Sequence, residues 1–100
     1  MRFQVFSMII NIDGLNIEYT EEGSGIPVLL LHGWGSSFDV YKGIFSALND
    51  RCRLVALNFP GCGKSDTMSE PWNIDNYCDF VLKFMKVAEH SSVGHIVTIN

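Results

Sequence analysis

Excess basic charge, paired cysteines and long apolar runs are all missing from this sequence. Seven Lys and Arg stand against eleven Asp and Glu, a formal net charge of −4. No basic face is left to neutralise phosphates, which excludes nucleic acid as a partner. The three cysteines, Cys52, Cys62 and Cys78, are an odd number without metal-like spacing. They read as reduced thiols of a cytosolic protein. His32, His90 and His95 add no recognisable ligand spacing, so neither a metal nor a cofactor is expected. No segment approaches the length that spans a bilayer, so no membrane partner is expected. Met1-Arg2 and the following Phe3–Ile10 have the outline of a signal peptide. Gln4 and Ser7 interrupt it, however, and Asn11-Ile12-Asp13 stands where a small-residue cleavage site belongs. A soluble, cytoplasmic chain is the expectation. Repeats, low-complexity tracts and linkers are absent as well, so residues 1–100 read as part of one domain.

What is present is an alternation of short apolar runs and amphipathic segments. The chain is 47% hydrophobic, 12% aromatic and 18% charged, too apolar for disorder. Met8–Ile12 and Leu15–Thr20 form strand-like runs around Asp13-Gly14, a dipeptide suited to a tight hairpin. In the second run Leu15, Ile17 and Tyr19 alternate with Asn16, Glu18 and Thr20, which predicts one buried and one wet face. A polar turn over Glu21–Gly25 precedes Val28–Leu31, whose unbroken apolar character suits a parallel strand covered on both faces. Phe38, Tyr41, Phe45 and Leu48 recur at helical spacing behind Ser37 as N-cap, and Asn49-Asp50 ends that helix. Leu54–Leu57 is a second buried strand, and a long loop runs from Asn58 to about Asn73. A second helix then presents Ile74, Tyr77, Cys78, Val81, Leu82, Met85 and Ala88 as one stripe, with Asp79, Lys83 and Lys86 off it. Ser91–Gly94 breaks it, and His95–Ile99 begins a third buried strand. The order predicts a three-layer α/β architecture: an open, mostly parallel sheet with an N-terminal antiparallel hairpin.

Two glycine-rich loops follow the first two buried strands, at the carboxyl ends where open α/β sheets bind ligands. They are His32-Gly33-Trp34-Gly35 and Pro60-Gly61-Cys62-Gly63-Lys64-Ser65-Asp66. In this order and spacing, from about Ile10 to Asn100, they make the chain resemble the front part of the α/β-hydrolase superfamily. The resemblance implies a partial α/β-hydrolase fold and acyl-transfer chemistry, whose oxyanion needs preorganised donors. One such donor would be the backbone N–H of Trp34, with Gly33 and Gly35 letting the main chain turn toward a small ester-like substrate. The family's catalytic histidine comes late in the chain, so His32 resembles a structural residue that bonds loop backbone. Lys64 and Ser65 either line the pocket or belong to a loop that Ser65 and Asp66 stabilise. Asn58 is a departure, because family members often carry Asp there.

Gly63-Lys64-Ser65 also admits a phosphate-binding loop, a different functional class. Against it, Asn58 occupies the position of the first required glycine, and Asp66–Pro71 lacks the apolar periodicity of a phosphate-capping helix. A non-catalytic interaction protein is a further alternative.

In the family, the strand matching His95–Asn100 runs into G-x-S-x-G, and the acid and histidine of a Ser-His-Asp triad follow later. These 100 residues contain no G-x-S-x-G. The expectation is therefore a truncated chain, inactive alone, whose nucleophile, acid and base lie elsewhere. An aspartate nucleophile would suggest epoxide or haloalkane chemistry in place of ester cleavage. The resemblance also places the strand after Gly25 between the other two parallel strands, with the helices on opposite faces. Ile96–Ile99 would then form an uncharged edge prone to self-association.

Overall fold

The computed structural model describes residues 7–33, 35–88 and 95–98, the last four by their backbone alone. A hairpin opens the fold: β1 (Met8–Ile12) and β2 (Leu15–Glu22) pair antiparallel from Met8↔Tyr19 to Ile12↔Leu15. Asp13 and Gly14 both adopt positive φ, 51° and 87°, as the tightest hairpin turn requires. The Asn11 side chain accepts the Gly14 N–H across this turn.

The remaining strands are β3 (Ile26–Leu31), β4 (Cys52–Leu57) and β5 (His95–Thr98). They complete a five-stranded sheet in the order β1-β2-β4-β3-β5. β2 meets β4 antiparallel, whereas β3 pairs parallel with both β4 and β5. The predicted placement of β3 between its two parallel neighbours therefore holds. β5 stands at the end of the sheet order; its side chains, and the Ile99 assigned to its edge, lie outside the described residues.

Strand alternation divides the core between two faces. Leu29, Leu31, Val55 and Leu57 join Ile12 and Ile17 under Phe80 and Phe84 of α2 (Ile74–Val87). Val28, Leu30, Leu54 and Ala56 face Phe38, Tyr41 and Phe45 on the other side. Phe38 and Tyr41 belong to a 3₁₀ turn (Phe38–Tyr41) that runs directly into α1 (Lys42–Leu48), which carries Phe45. The first helix thus begins as 3₁₀, with the Ser37 hydroxyl accepting the Asp39 N–H in the N-cap role predicted for it. The two connections leave the sheet on opposite faces, as right-handed crossovers in opposite directions demand.

Two sequence expectations are corrected. The buried stripe of α2 is rotated from the one predicted: Ile74 and Leu82 are 76% and 63% exposed, and Cys78 is exposed too. Phe80 and Phe84, absent from the predicted stripe, are buried, with Tyr77, Val81, Met85 and Ala88 half-buried beside them. Turning two aromatic rings onto the sheet removes more apolar area from water than Ile74 and Leu82 could. A capping box between Asn73 and Asn76 sets where this helix starts. The second correction concerns β2, both of whose faces are covered. Glu18 and Thr20, expected to be wet, are 6% and 3% exposed. Thr20 pairs with Ala56 of β4, on the α1 side of the sheet, and Glu18 lies on the same side under the loop that follows β4.

This assignment of the α2 face is testable by chemical denaturation. Phe84→Ala should cost about 3–5 kcal/mol or abolish cooperative unfolding, whereas Leu82→Ala should change stability by less than about 0.5 kcal/mol.

Candidate functional site

The two glycine-rich loops lie side by side at the carboxyl ends of β3 and β4. The first begins with His32, which is buried and bonded at both ring nitrogens. Its Nε2 accepts the Phe59 N–H at 3.0 Å, and Nδ1 lies 2.8 Å from the Gly33 carbonyl oxygen. Only the Nδ1–H tautomer serves both partners, so this imidazole is committed to holding backbone. The role implied for His32 by the family resemblance is the one its geometry gives it. One residue earlier, the Leu31 carbonyl accepts the buried Tyr41 hydroxyl at 2.6 Å. Beyond His32 the Ser36 N–H donates to the Gly33 carbonyl, closing a turn in which Gly35 has φ 70°. Gly33 and Gly35 thus sit in a tight turn at the carboxyl end of β3. Trp34, between them, lies outside the described residues.

Asn58, first residue after β4, holds the far end of this loop. It is 1% exposed. Its Oδ1 accepts the Phe38 N–H at 2.7 Å, and its Nδ2 donates to Glu18 Oε1 at 2.8 Å. Its backbone N–H donates to the Glu18 carbonyl, and its own carbonyl accepts the Ser65 hydroxyl. Ser65 in turn accepts the Glu18 N–H at 2.8 Å. Asp66 extends the lacing along β2, accepting the Asn16 N–H on its carboxylate and donating its own N–H to the Asn16 carbonyl.

Glu18 is the charge within this network. Burial pushes its carboxyl upward. The Lys64 N–H, the Ser7 hydroxyl, the Asn58 amide and the Lys64 charge outweigh that and hold it below its ordinary value. Glu18 is therefore an ionised acceptor at neutral pH. Burial raises the Cys62 thiol, which leaves it protonated there and a poor nucleophile.

The phosphate-loop alternative finds no support in this geometry. The Lys64 N–H is taken by Glu18, and those of Gly61, Cys62 and Ser65 by carbonyls of Asp66, Phe59 and Cys62. The Ser65 hydroxyl is buried, and the next helix starts nine residues later, at Ile74. An anion placed here would meet the Glu18 carboxylate instead of open amides. Of the two readings weighed for Ser65, loop stabilisation is the one its bonds express.

An aromatic cluster ties the loops to α2. The Phe59 ring meets His32, Tyr77 and Phe80, and Trp72 packs against Tyr77 and Phe80. Among the described residues no group of His, Cys, Asp or Glu could hold a metal ion, and no helix is long and apolar enough to cross a membrane. His90, Ser91 and Ser92 lie outside the described residues, as does the His95 side chain.

Sequence reasoning singled out Asn58 as a departure but missed Glu18. Glu18 occupies a polar position of an alternating strand, and nothing local in the sequence marks it as buried.

Comparison with known proteins agrees with this arrangement. A family model described as alpha/beta hydrolase fold matches residues 26–99. The chain is 32% identical over 77 residues to a pimeloyl-[acyl-carrier protein] methyl ester esterase of Methylococcus capsulatus, covering 77% of this chain and 29% of that one. It is 37% identical over 70 residues to haloalkane dehalogenase 2 of Mycobacterium tuberculosis, covering 69% and 24%. A crystal structure of a membrane phospholipase A superposes with a TM-score of 0.87 at 26% identity, over 94% of this chain and 31% of that one. The chain thus spans less than a third of the length of each of these relatives. With the family model covering most of its residues, the chain belongs to the α/β-hydrolase superfamily.

Proposed function

We propose that residues 1–100 are the N-terminal part of a single α/β-hydrolase domain and supply half of its oxyanion hole. The reaction is hydrolysis of a small carboxylic ester by a Ser-His-Asp triad contributed from outside these residues. The backbone N–H of Trp34 is one oxyanion donor, and Gly33 and Gly35 leave room for the substrate carbonyl beside it. The observation that carries this reading is the double commitment of the His32 ring. By gripping the Gly33 carbonyl and the Phe59 N–H, it holds the start of the 33–36 turn against the neighbouring loop. A preorganised backbone donor needs such a rigid mount, since it must not reorganise as charge develops. The ester preference is supported by the similarity to a methyl ester esterase. The coverage of less than a third of each relative's length supports the partial domain.

Alone, the 100-residue polypeptide is expected not to turn over p-nitrophenyl butyrate, because it contains no G-x-S-x-G. Grafted in place of the matching segment of the Methylococcus esterase, it should restore a turnover that a serine-directed phosphonate abolishes. In that chimera His32→Ala should lower kcat about 10–100-fold with little change in KM, the loss typical of a misplaced catalytic group. A folded but inactive chimera would overturn the proposal, as would phosphonate-sensitive turnover by the 100 residues alone.

A further inference from the structure

Asn58 stands where the family resemblance implies an aspartate, and its surroundings suit the amide. The Phe38 N–H needs an acceptor, so the side chain must turn Oδ1 toward it, leaving Nδ2 as a donor on the opposite side. That donor meets Glu18 Oε1 at 2.8 Å, and the same oxygen accepts the Lys64 N–H at 2.8 Å. Gly63 lets the loop close over the pair: a Cβ built there would run into both Asn58 Nδ2 and Glu18 Oε1, and its φ is positive at 51°. An aspartate at position 58 could still accept from Phe38, but its second oxygen would face the Glu18 carboxylate across that same short distance.

We infer that Glu18 is a positioning residue for the oxyanion loop: it acts through Asn58 as a matched acid–amide pair that fixes the Phe38 N–H and with it the end of the 33–37 segment. His32 holds the beginning of that segment and Asn58 the end, so the turn carrying the oxyanion donor is strung between two buried side chains. The catalytic meaning of the pair rests on the proposed hydrolase function; the pairing itself does not.

The lowered pKa of Glu18 agrees with this arrangement. Lys64 is the charged group acting on Glu18 from the loop above it. Asp66, on the same loop, is engaged with Asn16, while Glu21 and Glu22 farther along β2 pair with Arg53 and Asn49. Because the folded pKa is depressed, the pair's contribution is present above the ordinary carboxylate value of 4.5 and is lost as pH falls through the lowered one. Asn58→Asp inverts this. Two facing carboxylates tolerate each other only while they share a proton, so the variant should be sound in mild acid and impaired above it.

Amide hydrogen exchange at Phe38, measured on the 100-residue chain and corrected for intrinsic rates, tests the pairing directly. In Asn58→Asp, protection should fall about tenfold or more at about pH 8 and recover at about pH 5. Adding Glu18→Gln should remove that pH dependence and return most of the protection, because a carboxamide can share a hydrogen bond with the introduced aspartate. If Asn58→Asp unfolds at the higher pH, refolding in mild acid and rescue by Glu18→Gln support the pairing equally. In the esterase chimera, kcat of Asn58→Asp relative to the unsubstituted chimera at each pH, counted per active site titrated with the phosphonate, should follow the same pattern with KM within about twofold. The titration removes any loss of folded protein from the comparison. Unchanged Phe38 protection in Asn58→Asp, or a pH dependence that survives Glu18→Gln, would overturn the inference. An inactive chimera alongside the expected exchange pattern would sink the proposed function and leave the pairing standing.

Discussion

The Asn58 carboxamide, sealed from water and hydrogen-bonded at both ends, is the constraint on which the functional end of this fold depends. Where β3 and β4 stop, their chains turn into loops whose peptide groups no longer have ladder partners. Buried peptide groups left unpaired cost about 1–3 kcal/mol each, whereas a made hydrogen bond contributes only about 0.5–1.5 kcal/mol. Satisfaction therefore matters more than the strength of any one bond. Through side chain and backbone, Asn58 serves Phe38, Ser65 and both the backbone and carboxylate of Glu18. No buried side-chain nitrogen or oxygen among the described residues lacks a partner. A network in that state holds a unique geometry; with one member missing, the rest would be a liability.

A different chemistry secures the other flank. His32 joins the two loops by hydrogen bonds, but its ring also meets Phe59 edge to face, and Phe59 continues into Tyr77, Phe80 and Trp72. Apolar packing of this kind is tolerant of small shifts, and the polar network is not. The first glycine-rich loop thus sits between aromatic packing on the α2 side of the sheet and a polar network on the α1 side.

Legibility in the sequence followed the range of the interactions. Val28–Leu31 and Leu54–Leu57 were recognisable because a strand covered on both faces needs only a local apolar run. Asp13-Gly14 announced the hairpin because its backbone conformation is nearly a property of the dipeptide. The face of α2 was less secure, since Ile74, Cys78 and Leu82 form as good an apolar row as the one that packs. Which row turns inward is decided by Phe80 and Phe84 meeting Ile12, Ile17 and Leu29, all far away in sequence. Glu18 was illegible for the same reason: an alternating strand marks it as solvent-facing, and only the loop folded back over β2 makes it a buried acceptor.

That loop also explains why the second glycine motif offers no open phosphate cradle although it contains Gly-Lys-Ser. A phosphate cradle keeps successive N–H groups unpaired and convergent, with a helix behind them. Here the N–H groups are consumed by short-range turns and by a carboxylate delivered from β2, forty-six residues earlier for Lys64. The delivery works only because β2 lies antiparallel beside β4, which brings Glu18 level with the end of that strand. Residue types alone leave both functions open. The order of strands in the sheet decides whether the loop's donors face a negative side chain or empty space.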